Sequence, residues 1–394
     1  MNWRRVQAAA TVICIAAVTV LQAGPAQADR IRNNQWHLRY LDISEAHRVT
    51  KGAGVTVAVV DTGVSPHPDL RRNLLKGTEV LPDRNGNGQI DENGHGTSMA
   101  GLIAAHGRNR NDGALGIAPD AKILPVRDQE PGNNGGSTAI AAGIRWAATH
   151  GSDVINVSAA TGPSLALKSA VETAAQKGAV VVAGSGNLPR DSRFGYPAAM
   201  PGVLAVGAID RSGKHAAFSV TGEPIQICAP GVDIESTRLD GRYYIAWGTS
   251  SATAIVSGAA ALVRAKYPDL SAPEVIHRLT ATATDIGKPG RDNECGYGVL
   301  NVVKALTADV PPLAAGDPPP TSASPTATTS AGSTGNGTAA PEHAPRGNNA
   351  PLIVGGAVGV VAVLAGLLLF AARRRKAGPD RPAPTAGDSA KQSQ

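Results

Sequence analysis

The stretch VTVAVVDTGV, residues 55–64, decides the fold. From Val55 to Val60 both alternating sets of side chains are apolar or β-branched, and Asp61 followed by Thr62-Gly63 ends the run. A strand that offers apolar side chains to both faces belongs inside a sheet covered on both sides. The runs AKILPVR (121–127), DVINVS (153–158), AVVVAGS (179–185) and VLAVGAI (203–209) repeat the pattern. Between them lie the helical stretches HGTSMAGLIAAHG (95–107), STAIAAGIRWAATHG (137–151) and SLALKSAVETAAQKG (164–178), the last two closing on a glycine that stops a helix. This alternation predicts an α/β fold with a mostly parallel central sheet between helical layers.

Ligand sites in such sheets lie just beyond the carboxyl ends of the strands. Asp61 ends the first strand and Asn187 follows the fourth, in VAGSGN. His95 opens a helix after a loop insertion, and Ser250 opens the long small-residue helix SSATAIVSGAAALVRAKY (250–267). A hydroxyl at a helix N-terminus sits where the dipole and free N–H groups favour developing negative charge. Gly-Thr-Ser occurs at 96–98 and again at 248–250. Ser98 lies on the helical turn of His95 itself, where a hydroxyl beside its base has no separate oxyanion site. Ser98 therefore reads as a small packing residue. Taken singly, Asp61 and Asn187 also suit ordinary turns.

The ends of the 394-residue chain differ from its middle. Residues 1–28 combine Arg4 and Arg5, an apolar run from Val6 to Leu21 and a closing Ala26-Gln27-Ala28, the pattern of a secretory signal peptide. Residues 308–350 turn to Pro, Thr, Ser, Ala and Gly, too poor in large apolar side chains to offset ordering, and read as a disordered linker. Within 351–372, Leu352 to Ala372 is 21 uninterrupted apolar residues, enough for one C-terminal transmembrane helix. Arg373, Arg374, Arg375 and Lys376 open a basic tail over 373–394 that belongs in the cytoplasm, which puts the folded part, 29–307, outside the membrane. The expected location is the cell membrane, single-pass, with the lipid bilayer as a partner through that helix. The net charge of +6 is spread and partly belongs to the two flanks, so no nucleic-acid surface is indicated.

Cys228 and Cys295 remain after the signal peptide, in an oxidising location, and are free either to bond or to stay apart. In DRNGNGQIDE (83–92), Asp83, Asn85, Asn87 and Asp91 match ligand positions of a calcium loop. The twelfth position is Gly94 where a bidentate Glu belongs, so a surface insertion with Asn-Gly turns is favoured and no cofactor is required. Other histidines, including His37, His67, His106 and His215, show no ligand spacing.

DTGV (61–64) with HPDL (67–70), GHGT (94–97), SGN (185–187) and GTSSAT (248–253), in this order, resemble the subtilisin-type serine proteases over about residues 36–305. The resemblance implies their three-layer fold and serine endopeptidase chemistry through an acyl-enzyme. It implies Asp61 orienting the imidazole, His95 as base and acid, Ser250 as nucleophile, and Asn187 with the Ser250 N–H as the oxyanion site. It also places Ser158, Ala159 and Ala160 along the substrate, where the family usually carries Leu-Gly-Gly after the strand. Ser251 and Ala254 likewise stand in the usual Met and Pro places after the nucleophile. These departures leave the triad intact and change the specificity pocket.

The short extension 29–52, the linker and the single membrane helix further resemble the mycosins, membrane-anchored subtilases associated with type VII secretion. In that group a short N-terminal segment wraps the catalytic domain without serving as a removable inhibitor. The implied partners are protein or peptide substrates outside the membrane and a type VII membrane complex. Two other functions fit the same residues: a structural subunit of a secretion complex with proteolysis secondary, or a general degradative protease of the surface.

Overall fold

Alternate side chains of the central strands enter two separate cores, which is why the strands carry no polar face. The computed structural model describes residues 28–108, 112–130 and 136–313. Its sheet comprises β1 (Thr56–Asp61), β2 (Thr78–Glu79), β3 (Lys122–Arg127), β4 (Val154–Val157), β5 (Val180–Gly184), β6 (Val203–Ile209) and β7 (Ile227–Pro230). They lie in the order β2-β3-β1-β4-β5-β6-β7, every neighbour parallel. Val57, Val59, Val180, Val182 and Val206 enter one core, while Ala58, Val60, Val181, Ala183 and Ala205 enter the other. The first core is closed by α4 (His95–Ala104) and α7 (Thr249–Lys266), the second by α5 (Ser137–Thr149) and α6 (Leu165–Gln176). The result is the three-layer α/β arrangement that the sequence pattern implies.

Four strands escaped the sequence pattern. β2 is two residues long and β7 four, ending in Pro230, so neither carries a period. The antiparallel hairpin of β8 (Ile234–Thr237) and β9 (Tyr243–Ala246) leads into α7. α4 also stops at Ala104, short of the expected 107. Ala105 is extended and the His106 N–H leaves the helix to donate to Asp69 O at 2.8 Å.

The extension forms α1 (Ala28–Asn34), α2 (Trp36–Tyr40) and α3 (Ile43–Val49). It is sewn to distant loops. Gln35 Nε2 donates to Leu115 O and Glu235 O, and Trp36 Nε1 donates to Val232 O and Asp233 O. Ile31, Trp36, Leu38, Leu41 and Ile43 join the first core. α8 (Ala272–Ala281) and α9 (Val302–Thr307) complete the same layer. Cys228 and Cys295 are joined in a disulfide, and both lie in a small third core with Ile209, Ile225 and Val299.

Residues 1–27 of the expected signal peptide (1–28), residues 314–350 of the linker (308–350), the membrane helix 351–372 and the tail 373–394 lie outside the described residues. Among the described residues no helix is long and apolar enough to cross a membrane.

Candidate active site

The carboxyl end of β1 delivers Asp61 to the sheet rim, fully buried. Its Oδ1 accepts from the Thr62 N–H at 2.7 Å. α4 starts at His95 and brings the imidazole against it, with Nδ1 at 2.7 Å from Oδ1 and 2.9 Å from Oδ2. An ionised carboxylate can only accept, so Nδ1 carries the proton and Nε2 is left as the acceptor. The helix can approach this closely because residue 96 is glycine: a Cβ there would stand 2.1 Å from Gly63 O and 3.2 Å from Asp61 Cβ. Burial pulls the imidazole pKa down, but the charge and hydrogen bond of Asp61, with Asp91 behind them, outweigh it and hold the pKa above 6.5.

Asp91, a calcium-loop position by its spacing and a surface-insertion residue by the favoured reading, does not lie at the surface. It is buried, and both oxygens are taken: Oδ1 accepts from Thr62 Oγ1 (2.9 Å), Asn93 N (3.0 Å) and Gly94 N (2.7 Å), and Oδ2 accepts from Thr97 N (2.9 Å) and Thr97 Oγ1 (2.7 Å). It thus caps the start of α4 with a full negative charge, satisfying donors that a helix N-terminus leaves free. Asp83, Asn85 and Asn87 are exposed in the loop ahead of it, and Asn87 Oδ1 accepts from the Gln89 N–H. Among the described residues no group of three or more His, Cys, Asp or Glu is placed to hold a metal ion. The spacing Asp91-x-x-Gly94-His95 carried the capping signal, but the calcium pattern overlaps it.

Ser250 occupies the second position of α7, after Gly248 at φ 139°, a backbone value that suits glycine. Its N–H falls in the first turn, where no intrahelical acceptor exists. Ser250 Oγ donates to Ser158 O at 3.2 Å, and Ser158 Oγ donates back to Ser250 O at 3.3 Å. Asn156, buried in β4, donates to Ser158 Oγ and accepts from Ser257 Oγ, both at 3.0 Å, which locks the strand end to α7. Asn187 turns its Oδ1 to the Thr249 N–H at 2.9 Å, and its amide Nδ2 makes no hydrogen bond among the described residues. His95, Ser250, Ser158, Ala159, Ala160 and Arg190 line one cleft of about 250 Å³. Asn187 lines a narrower recess beside it with Ser158, Ala159, Ala160 and Ser250.

The structure therefore gathers Asp61, His95, Asn187, Ser250 and the segment 158–160 at one rim of the sheet. In this rotamer the Ser250 hydroxyl is bonded to Ser158 and not to His95. Ser98 is buried in α4 and its carbonyl accepts from Ser236 Oγ at 2.7 Å. Asp128, which no motif flagged, is wholly buried next to the pair: its N–H donates to Asp61 O at 3.0 Å, and burial with the Asp61 charge pushes its carboxyl well above the usual range.

A parallel sheet with a carboxylate at a strand end, and an imidazole and a hydroxyl each at a helix start, is the layout of a subtilisin-type hydrolase. The model of the subtilase family matches residues 52–298, and the chain belongs to that family of serine proteases. It is 40% identical over 272 residues to Subtilisin Savinase of Lederbergia lenta, a match covering 68% of this chain and 97% of that one. Two mycosins are close in structure. MycP1 from Mycobacterium smegmatis has a TM-score of 0.62 at 34% identity, covering 70% of this chain and 85% of its own. The MycP3 protease from the type VII (ESX-3) secretion system has a TM-score of 0.60 at 34% identity, covering 70% and 88%.

Proposed function

We propose that this subtilase is a membrane-anchored, extracytoplasmic, mycosin-like endopeptidase in which Asp61, His95 and Ser250 cleave proteins exported near a type VII complex. The observation that carries the proposal is the Asp61–His95 contact at 2.7 Å with Ser250 in the same cleft. In the reaction the Ser250 hydroxyl exchanges Ser158 O for His95 Nε2 as its acceptor. His95 accepts that proton as Oγ attacks the scissile carbonyl, and Asp61 stabilises the imidazolium. Asn187 Nδ2 and the Ser250 N–H hold the oxyanion, each such donor being worth about 10²–10³ in rate. His95 then gives its proton to the leaving amine, and water releases the acyl group by the same steps in reverse.

The basic flank after the apolar segment and the signal-like start support the outward placement, and the structural neighbours named for type VII secretion support the association. The test has two arms. A fluorophosphonate probe should label Ser250 in wild type and leave Ser250→Ala unlabelled, whereas Ser98→Ala should keep most of its labelling and peptidase activity. In a deletion strain, wild type should restore secretion-linked processing of an exported protein and Ser250→Ala should not. Full rescue by Ser250→Ala would instead assign the chain a scaffolding role.

A further inference from the structure

Past the far end of α4, about 15 Å from His95 by helix length, lies a second cavity of about 740 Å³ that the peptidase chemistry does not use. Arg32, Lys51, Arg71, Arg72 and Arg108 line it, with His47 and His106 between them and Asp120 as the one carboxylate of the lining. Arg32 comes from the extension and is held in place by two hydrogen bonds to Gly113 O, at 3.1 and 3.3 Å. Arg108 is offset by Asp69 at 3.5 Å. Burial lowers the Arg32 pKa, and Asp69 and Asp112 act against that. Among the described residues Lys51, Arg71 and Arg72 form no ion pair, and all three are exposed. The positive field reaches the two imidazoles. Both have lowered pKa values, first through burial and then in part through Lys51 and Arg32 on His47, and Arg72 and Arg71 on His106.

Like charges gathered without partners in a concave wall cost folding free energy and raise the local concentration of counter-ions. We infer that this cavity is a binding site for an anion carrying two or more phosphoryl groups. A phosphoryl group brings about −1 as a diester and about −1.5 to −2 as a monoester at neutral pH, so two or three of them balance three unmatched cations within the cavity's volume. A run of single carboxylates needs more length for the same charge. Guanidinium forks also match phosphate oxygens two at a time, and four of the five cations are arginines. The phosphoryl groups can belong to a soluble oligophosphate or to an anionic lipid headgroup. The site stands apart from the proposed catalytic role and does not depend on it, since Lys51 precedes β1 and Asp61 closes its far end.

The test compares the full chain with Arg71→Glu/Arg72→Glu and, as a gentler pair, Arg71→Gln/Arg72→Gln. Both side chains are exposed, and Arg72 supports the fold through its backbone alone: its N–H donates to His106 Nε2 and its carbonyl accepts from Lys122 Nζ. Calorimetry with tripolyphosphate, and flotation with phosphatidylcholine vesicles with and without cardiolipin, whose headgroup carries two phosphoryl groups, are read at low and high salt. Wild type should bind tripolyphosphate or the cardiolipin vesicles, more weakly at high salt, and the Glu pair should lose at least about ten-fold in affinity. Hydrolysis of a short peptide should be unchanged in both pairs. Retention by vesicles alone assigns the headgroup, and by tripolyphosphate alone the soluble ion. Binding that survives the Glu pair, no binding of either probe, or tighter binding of a polyglutamate peptide overturns the inference.

Discussion

Replacing Asp91 decides between two readings of it, helix cap and calcium ligand. In Asp91→Ala, five donors lose their acceptor: the N–H groups of Asn93, Gly94 and Thr97 and the hydroxyls of Thr62 and Thr97. Asn93 is exposed and water takes over there, and the two hydroxyls can rotate. Gly94 and Thr97 are buried, and each stranded N–H costs about 1–3 kcal/mol. The lost charge at the helix start adds roughly 0.3–1 kcal/mol. The sum is about 4 kcal/mol, or roughly 8–16 °C in Tm for a domain of this size. Because the same turn aims His95 at Asp61, a shift near 1 Å should lower kcat about 10²-fold. Asp91→Asn keeps one acceptor oxygen and should fall between. Calorimetric melting and peptide hydrolysis, each in millimolar calcium and in chelator, give the answer. An Asp91→Ala protein with unchanged Tm and kcat would refute the capping reading. So would a wild-type Tm that falls to the variant's level in chelator, which would return Asp91 to the metal.

Three further outcomes follow from the geometry. The imidazole must be neutral to accept a proton and its pKa is raised, so kcat/KM should fall as pH drops through a midpoint above 6.5; a midpoint below 6.5 would contradict the Asp61 contact. Removing the disulfide with Cys228→Ala/Cys295→Ala frees a 67-residue loop that contains Ser250 and should cost about 4 kcal/mol by chain entropy, with a Tm drop under about 2 °C arguing against it. A carboxyl whose folded pKa is raised contributes full stability below its unfolded pKa and loses it as pH rises towards the folded value. Asp128→Asn cannot titrate, so its Tm advantage over wild type should grow with pH above about 4, and a constant difference would sink the idea.

Much of the layout was legible along the chain. Period-two burial on both faces is written in the valines of 55–60 and 179–184, because each strand fills two cores at once. The residues at strand ends and helix starts could be named because those positions are where parallel sheets expose reactive groups. β2, β7 and the β8–β9 hairpin were not legible: each strand is only two to four residues long, too short for a period, and β2 and β7 take their pairing from strands further along or back in the sequence. Asp91 misled for a related reason: Asp and Asn spaced every second residue serve a turn, a cap or a metal equally, and only the three-dimensional partners choose.

The sequence by itself determined the alternation of strand and helix, the two apolar ends and the order Asp61, His95, Asn187, Ser250, since each depends on local periodicity or residue type. Tertiary structure alone decided that Cys228 reaches Cys295, that Asp91 faces the His95 helix, and that the arginines of residues 32, 71, 72 and 108 share one wall. Charges and thiols far apart along the chain act on one another only through distance in space, and that distance is set by how the layers pack.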